Sequence, residues 1–407
     1  MNILPGPYPL AVVAILGFSA PATTRSLSST PTHPKQSIPA LTLAHMPYGG
    51  HDAPALYALN QANGLMRICS LNPAGAFVGG VSQVVCTGKY VYGTLATHIY
   101  KRTGPKIMIY QFSTQTNTLK VLWRWKKSDK SRYGDGTGLA LTVGDLPVLY
   151  GATQSGGAHG SGTVFSFNAV SRVYQVLHTF GAKPRNAVNS VNLNGAVPCQ
   201  QLAYDGRDIF GETCMGGKFG GGVLFRLNPR SLKYRVLHSF HSYSSRTEQG
   251  ILLQSVVFQP RGRIVGFIAA GGKFGTGLIY SIQKDGSAYH VIHTFQSRKE
   301  RVRNPDGMYP VGLVNTTNDG LIGITNSGGK SGMGTVFEVR PNGTGFKALY
   351  CAAGTLKHNR GMLPSWIFQY HGEIVVENTM GGKGFNGNLL FVSVGSSGTV
   401  KTTTIDF

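Results

Sequence analysis

The composition of this 407-residue chain favours a folded protein with many tight turns. Hydrophobic residues make up 41% of the sequence, which is ample for a packed core. Glycine accounts for 56 residues, about twice its average share, and without a collagen-like period this argues against long helices. Lysine and arginine outnumber aspartate and glutamate by 38 to 16, for a net charge of +22. The imbalance predicts an acidic partner or surface; otherwise it serves solubility or suits an acidic environment.

The first elements in chain order are an export signal and a linker. Residues 10–20, LAVVAILGFSA, form an apolar run of signal-peptide length, too short to span a bilayer. The small residues Ala20 and Ala22 suit a cleavage site, so residues 1–22 are predicted to be a signal peptide, although no Lys or Arg precedes the apolar run. Residues 23–37 are rich in Ser, Thr and Pro and predict a disordered linker. We expect export to the periplasm or the medium, with no membrane span in the mature chain.

The remainder, residues 38–407, repeats one phrase. It reads GGKFGGGVLF at 216–225, GGKFGTGLIY at 271–280 and GGKSGMGTVF at 328–337. Each phrase ends a β-rich run with an aromatic residue. Seven such aromatics recur at intervals of 53 to 60 residues: Tyr57, Tyr110, Phe165, Phe225, Tyr280, Phe337 and Phe391. A period of about 55 residues predicts a propeller or a solenoid rather than separate domains.

Each repeat predicts four short strands. In the fourth repeat, the β-rich runs VPCQQLAYDG, RDIFGETCMGG, GGVLFRLNPRS and KYRVLHSF follow one another, with Gly, Asn and Asp between them. A four-stranded sheet cannot bury its apolar surface alone, whereas radially stacked sheets can. We therefore predict an all-β fold, a single β-propeller of seven four-stranded blades, with the glycine phrase between the second and third strands. The segment SIPALTLAH at 37–45 completes the first blade; otherwise the ring closes with a short blade or has six blades.

The recurring LYG-T-x-GG, GTVF and VLHTF motifs resemble the tandem repeat of choice-of-anchor proteins with GloVer-type (Gloeobacter/Verrucomicrobium) repeats. The resemblance is clear over residues 140–407 and degenerate over 40–139. It implies an exported β-propeller of undefined biochemical role that is joined to one of several surface anchors, and it supplies no catalytic residues. This chain ends on a predicted strand without such an anchor, which favours release over surface attachment.

Residues that recur in register come to one face of a propeller and can form a site there. A lysine follows the glycine pair in four consecutive repeats, and a phenylalanine stands beside two of these lysines. The candidate ligand-binding residues are Lys218, Phe219, Lys273, Phe274, Lys330 and Lys383. Cations beside exposed rings suit a polyanion whose sugars stack on the aromatics while its carboxylates or sulfates pair with lysine. The alternative is that the lysines only add solubility and each phenylalanine packs on its own blade.

Histidines also recur, at His178, His238 and His293, but on the fourth, outermost strand of successive blades. A whole sheet would separate them, whereas metal ligands lie about 2 Å from a shared ion. The pattern therefore favours a hydrogen bond from each histidine to the backbone of its own blade over a metal site.

Two acids, Glu212 and Glu377, occupy the same repeat position and are the candidate catalytic residues. Paired carboxyl groups serve as acid and base in glycoside cleavage when they lie about 5 to 9.5 Å apart. These two are three blades apart, so they could cooperate only across a narrow central channel. Otherwise they are ordinary exposed or paired acids.

Two cysteines, Cys199 and Cys214, flank a predicted hairpin turn and could face each other on neighbouring strands. Either a disulfide or a buried pair of thiols fits this placement. The sequence has no zinc spacing, nucleophile elbow, phosphate loop or calcium loop, so no metal or cofactor is predicted.

The preferred function is therefore binding of an anionic polysaccharide or surface polymer by a monomeric exported propeller. The alternatives are a polysaccharide lyase or glycoside hydrolase acting on such a polymer, and a protein-interaction scaffold, because propellers host all three. Nucleic acid is not favoured, since no binding module for it is visible.

Overall fold

The computed structural model describes most of the chain from residue 41 onward. The described residues are 41–45, 55–60, 64–70, 78–81, 85–86, 89–97, 106–113, 115–116, 118–126, 140–143, 147–182, 192–241, 251–259, 262–296, 304–316, 319–352, 354–355, 358–359, 362–370, 373–380, 387–394 and 399–406. The predicted signal peptide and linker lie outside them. No helix long and apolar enough to cross a membrane occurs within these ranges.

The described strands form antiparallel sheets that follow one another along the chain. Sheet 1 contains β1 (Leu41–His45), β2 (Ala55–Asn60) and β3 (Gly64–Ser70). Sheet 2 contains β4 (Val78–Val81), β5 (Val85–Cys86), β6 (Tyr90–Thr97), β7 (Lys106–Ser113) and β8 (Thr118–Arg124). Sheet 3 contains β9 (Ala140–Val143), β10 (Val148–Thr153), β11 (Thr163–Asn168) and β12 (Tyr174–Thr179).

The next sheets have the same order of four strands. Sheet 4 contains β13 (Ala196–Tyr204), β14 (Ile209–Met215), β15 (Gly220–Leu227) and β16 (Tyr234–His241). Sheet 5 contains β17 (Ile251–Gln259), β18 (Arg263–Ala270), β19 (Leu278–Gln283) and β20 (His290–Thr294). Sheet 6 contains β21 (Met308–Asn315), β22 (Leu321–Ser327), β23 (Thr335–Val339) and β24 (Lys347–Cys351). A short hairpin, β25 (Gly354–Thr355) and β26 (His358–Asn359), precedes sheet 7, which contains β27 (Met362–Tyr370), β28 (Glu373–Met380), β29 (Asn388–Val394) and β30 (Val400–Asp406).

Successive sheets pack face to face with their first strands innermost. The first strands β9, β13, β17, β21 and β27 contact one another in that order. The second strand of each of sheets 3 to 6 also contacts the first strand of the next sheet. This confirms an all-β fold of stacked antiparallel sheets, with the glycine phrase between the second and third strands. Strand β1 lies within the segment 37–45. It pairs with β2, which carries the third-strand aromatic Tyr57, so β1 corresponds to the second strand of the first repeat.

In sheets 2, 4, 5 and 6 an aromatic residue of the third strand fills the core by lying over a glycine of the second strand, whereas in sheet 7 Phe391 pairs with Val375. Tyr280 pairs with Gly266, and a Cβ built on that glycine would lie 2.3 Å from the tyrosine hydroxyl oxygen. Phe337 covers Gly323 in the same way, at 2.3 Å from Cζ. The LYG, IVG and LIG motifs of the sequence therefore exist because only glycine leaves room for the ring.

The glycine phrase forms a compact loop, which we call the glycine clasp, at residues 156–162, 216–222, 271–277 and 328–334. In each clasp the amide of the last glycine donates a hydrogen bond to the carbonyl of the first, at 2.9 to 3.0 Å. That last glycine has a positive φ in every clasp, 96° at Gly222 for example. A Cβ at Gly222 would lie 1.8 Å from the carbonyl oxygen of Thr213, so the position excludes every other residue.

The clasps also join neighbouring sheets. The carbonyl of Ser161 in one clasp accepts a hydrogen bond of 2.9 Å from the amide of Val197 on the first strand of the next sheet. The same bond recurs from Tyr309 to Thr276, at 2.8 Å, and from Leu363 to Met333, at 3.1 Å. A proline follows each donor and packs against the last glycine of the clasp (Pro198 on Gly162, Pro310 on Gly277, Pro364 on Gly334).

Substitution of a clasp glycine tests whether the loop requires glycine for lack of space or only for its positive φ. We expect Gly222→Ala to lower the free energy of unfolding by more than about 3 kcal/mol, because the methyl group collides with a backbone oxygen inside the sheet. Gly332→Ala is the matched control. Gly332 also has a positive φ, 77°, but a Cβ added there would have nothing within 4 Å. This substitution should cost only about 1 to 2 kcal/mol. Equal losses, measured by urea or thermal unfolding, would contradict a steric requirement.

Candidate functional site

Three of the predicted lysines lie at one edge of the stacked sheets, which we call the lysine face. Lys218, Lys273 and Lys330 occupy equivalent positions in the clasps of sheets 4, 5 and 6, and all three are exposed. Because the sheets stack in the same orientation, loops between second and third strands emerge at the same edge. Lys383 lies outside the described residues.

Each phenylalanine beside these lysines is half-exposed and has the ammonium group near its ring. Lys218 Nζ lies 5.2 Å from the ring centroid of Phe219, and Lys273 Nζ lies 5.5 Å from that of Phe274. Both phenylalanines keep 40% of their surface exposed. These distances are within cation–π range, and the exposed ring surface remains free for a ligand to contact.

A histidine not singled out by sequence reasoning completes the site on sheet 4. The His241 ring stacks on Phe219 with 3.9 Å between ring centroids and 9° between planes. His241 lies at the end of β16, and the residue after the recurring Phe in the LH-x-F motif differs from repeat to repeat, so no periodic signal pointed to it. Phe219 therefore packs partly on its own sheet while presenting the rest of its ring to solvent. Two further apolar side chains are exposed nearby in the chain: Leu193, three residues before β13, at 58%, and Met215, at the end of β14, at 47%.

The first candidate acid, Glu212, is buried between sheets 4 and 5. Its side chain is 2% exposed, and the hydroxyl of Tyr280 on the neighbouring sheet donates a hydrogen bond to Glu212 Oε1. Among the described residues, Oε2 has no hydrogen-bond partner. Burial raises the pKa of Glu212 to about 8, although the hydrogen bond from Tyr280 acts in the opposite direction and the Cys214 thiol adds a smaller upward effect. Glu212 is therefore a protonated structural contact between two sheets.

The second candidate acid, Glu377, is equally buried, at 1% exposure, on β28 of sheet 7. Both acids stand on second strands rather than on the innermost strand. The structure does not bring them together: they occupy separate sheets, and Glu212 faces Tyr280. A glycosidase pair needs two carboxyl groups that both reach a bound sugar, and these two buried side chains do not form such a pair with each other. A catalytic role for either acid stays a prediction.

The recurring histidines link neighbouring sheets by ring stacking. His178 stacks on Tyr234 of the next sheet, with centroids 3.9 Å apart and planes 3° apart. His238 stacks on Tyr289 and His293 on Phe346 in the same way, at 4.0 and 3.6 Å. The Nε2 atoms of His178 and His293 are buried without a hydrogen-bond partner in the described region, although His293 Nε2 lies 3.6 Å from Asp306 Oδ2. A hydrogen bond from the other ring nitrogen to the backbone stays a prediction. A signal was present in the sequence, because an aromatic residue precedes each histidine by four positions, as Tyr234 precedes His238.

Burial lowers the pKa of His178 to about 4, so its ring is uncharged at neutral pH, which suits a stack between sheets. Within the part of the chain that the structure describes, no group of three or more His, Cys, Asp or Glu side chains could hold a metal ion.

Cys199 and Cys214 lie side by side as free thiols, which matches the second of the two arrangements left open by the sequence. Cys199 is buried on β13 and Cys214 is partly exposed on β14, and the two side chains share a hydrogen bond.

The family model of the Gloeobacter/Verrucomicrobia repeat matches residues 88–304, which is more than half of the chain. The chain belongs to this family. No protein of curated function matches it significantly. The match to the Gloeobacter/Verrucomicrobia repeat spans the clasps of sheets 3, 4 and 5, and therefore includes Lys218, Lys273 and both phenylalanines of the lysine face.

Solved propeller-like structures share the fold of this Gloeobacter/Verrucomicrobia repeat protein. The periplasmic gluconolactonase of Pseudomonas aeruginosa is 13% identical with a TM-score of 0.53, covering 90% of this chain and 96% of its own. A candidate 6-phosphogluconolactonase from Bacteroides uniformis is 13% identical with a TM-score of 0.54, covering 91% and 97%. The GH74 enzyme of Niastella koreensis is 12% identical with a TM-score of 0.52, covering 87% of this chain and 52% of its own. Such low identities establish a common fold only.

The raised pKa of Glu212 predicts a distinctive pH dependence of stability. The folded chain keeps this proton up to about pH 8, whereas the unfolded chain releases it near 4.5. The stabilising effect is thus complete below about pH 4.5 and is lost as the pH rises through 8. We expect Glu212→Gln, which retains an oxygen acceptor for Tyr280, to fall less in melting temperature than the wild type between pH 5 and 9.

Glu338→Gln, at a partly exposed position on β23, serves as the control and should leave the pH profile unchanged. The groups nearest to Glu212 are Tyr280, Cys214 and Cys199, so the profile should be recorded under reducing conditions that keep both thiols intact. Parallel wild-type and Glu212→Gln profiles would show that the carboxyl group is ionised in the fold.

Proposed function

We propose that this Gloeobacter/Verrucomicrobia repeat protein is an exported β-propeller that binds an anionic polysaccharide through the lysine face. The observation that carries the proposal is the in-register display of Lys218, Lys273 and Lys330, all exposed, with half-exposed phenylalanines beside two of them. Ammonium groups pair with carboxylates or sulfates, and flat rings receive the apolar faces of sugar rings. A ligand that offers both features in a repeating array is an acidic polysaccharide.

The strength of single contacts explains why the ligand should be a polymer. An exposed ion pair contributes only about 0 to 1 kcal/mol and is screened by salt. One lysine would therefore not retain a monosaccharide. A chain that reaches several clasps at once gains from effective concentration, because each contact after the first is intramolecular.

Positive charge in the segments that connect successive sheets also supports the lysine face as the binding surface. The segments that join the fourth strand of one sheet to the first strand of the next start and end at the edge where the clasps lie. In sequence the connection between β20 and β21 is basic on balance, with Arg298, Lys299, Arg301 and Arg303 against Glu300 and Asp306, and these four basic residues lie outside the described ranges. Such a concentration of positive charge raises the local concentration and association rate of a polyanion.

Removal of the lysines tests the proposal. We expect the triple variant Lys218→Ala, Lys273→Ala and Lys330→Ala to bind alginate or pectate about 10- to 100-fold more weakly at low salt. The measurement is co-elution of labelled polymer with the full chain on size exclusion, at low and moderate salt, with a neutral glucan as reference. The control is Lys120→Ala, Lys233→Ala and Lys347→Ala, which removes the same charge from exposed positions outside the clasps.

Equal loss of binding in both triple variants would overturn the lysine face and leave only a general effect of net charge. Shortening of the polymer during the experiment would instead reveal a lyase or hydrolase. A failure to bind any polymer would redirect the search to a protein partner, for which the exposed Leu193 and Met215 are available.

The ring itself is proposed to close as seven blades, with sheet 7 packed against sheet 1. Strand β3 of sheet 1 contacts β30 of sheet 7. The repeat register adds a second argument. Glu212 occurs where the next sheet carries a tyrosine, Tyr280, at the third-strand aromatic position. Glu377 holds the position of Glu212 in sheet 7, and the corresponding aromatic in sheet 1 is Tyr57. Closure would thus bring Glu377 to a tyrosine, Tyr57, as Glu212 is bonded to Tyr280.

A double-mutant cycle tests closure. If sheet 7 abuts sheet 1, Tyr57→Phe and Glu377→Gln should be coupled by at least about 0.5 kcal/mol in the free energy of unfolding, because they would share one hydrogen bond. The control pair, Tyr110→Phe with Glu377→Gln, should be additive within about 0.5 kcal/mol. Additivity in both pairs would argue against the seven-bladed closure.

A further inference from the structure

Two cysteines of sheet 4 form a contact pair at the base of the lysine face. Cys199 lies on the innermost strand β13, within the stretch where the register between β13 and β14 shifts after Pro198. Cys214 lies on β14, two residues before the clasp that begins at Gly216. Cys214 packs against the apolar cluster that contains Cys199, so the two side chains lie close together on neighbouring strands.

The two thiols have different environments. Cys199 is 2% exposed and belongs to the apolar cluster that includes Phe210, Leu224 and Tyr280. Cys214 is partly exposed beside Met215, whose side chain is 47% exposed. Cys214 is therefore the more accessible of the two thiols, and Cys199 is enclosed in the core. This is the arrangement of an attacking thiol and a resolving thiol.

The pKa values of the two thiols also differ, in a direction that suits attack by Cys214. The hydrogen bond from Cys199 lowers the pKa of Cys214, although burial opposes this effect, whereas burial raises the pKa of Cys199. The Glu212 carboxyl group and the Tyr280 hydroxyl lie beside Cys199, and neither carries positive charge that would stabilise a thiolate there. Thiolate forms first at the accessible sulfur, where a disulfide reagent can meet it.

We propose that Cys199 and Cys214 are a redox-active pair that is oxidised by low-molecular-weight disulfides. The Cys214 thiolate attacks one sulfur of the reagent, which forms a mixed disulfide and releases one thiolate. Cys199 then loses its proton to solvent and attacks the Cys214 sulfur, which expels the second thiolate. One external disulfide is thereby reduced to two thiols while the protein gains one intramolecular disulfide.

The product would tie the first strand of sheet 4 to the second at the root of the clasp that carries Lys218 and Phe219. This inference concerns the cysteine pair alone and stands whether or not the lysine face binds a polysaccharide. It distinguishes Cys199 and Cys214 from Cys351, the remaining cysteine whose surroundings are described, which is a free thiol on β24.

Mass spectrometry of the whole chain tests the pair. The protein is equilibrated in buffers of increasing oxidised-to-reduced glutathione ratio, quenched by alkylation and digested with trypsin. We expect the peptides 186–207 and 208–218 to become disulfide-linked, whereas the Cys351 peptide 348–357 stays alkylated at ratios that already link the pair. Absence of the linked peptides at every ratio, or oxidation of Cys351 at the same ratio, would overturn the proposal without any variant being made.

Single variants test the order of attack. Cys199→Ser should stop at a glutathione adduct on Cys214, because the resolving thiol is missing. Cys214→Ser should leave Cys199 without an adduct at the same ratio, although its thiol remains. Far-ultraviolet circular dichroism confirms that each variant is folded. A glutathione adduct on Cys199 in folded Cys214→Ser would contradict the roles assigned to the two sulfurs.

Discussion

Backbone contact between a glycine clasp and the first strand of the next sheet, present at the clasps of sheets 3, 5 and 6, is the interaction on which the rest of this structure depends. A four-stranded sheet with two apolar faces needs a neighbour on each side, and its backbone groups at the rim need partners as well. The bonds from Val197 to Ser161 and from Tyr309 to Thr276 meet both requirements. At these clasps the last glycine also lets the next strand's proline approach closely.

The same constraint determines where a ligand can be recognised. Since the clasp backbone is occupied by hydrogen bonds to its own and neighbouring sheets, the variable exposed side chains are those of the two residues at its tip. These are the positions of Lys218 and Phe219 in sheet 4, and their equivalents are displayed at a fixed interval from sheet to sheet. A rigid scaffold thus carries a repeating pattern of charge and ring surface, which suits a polymeric ligand better than a small one.

The polar groups buried between adjacent sheets differ from one junction, that is, one sheet-to-sheet contact, to the next. Most junctions are filled by apolar residues, as Ala152 and Phe225 fill one cluster between sheets 3 and 4. The junction between sheets 4 and 5 instead contains Glu212 bonded to Tyr280, with Cys199 and Cys214 beside them. A carboxyl group with a raised pKa and two thiols in one apolar layer distinguish this junction from the one between sheets 3 and 4, whose titratable groups include the partly buried His178.

The sequence by itself determined the repeat length, the order of four strands in a repeat, the place of the glycine phrase and the exposure of Lys218, because these follow from periodicity and local backbone preferences. Only the tertiary structure decided what the recurring side chains touch. Nothing local in the chain shows that Glu212 meets Tyr280, that His241 stacks on Phe219, or that His178 stacks on Tyr234. Two of these contacts cross from one sheet to the next, and the third joins a clasp residue to the end of a strand of the same sheet. They depend on how strands and sheets are packed, which neighbouring residues along the chain do not specify.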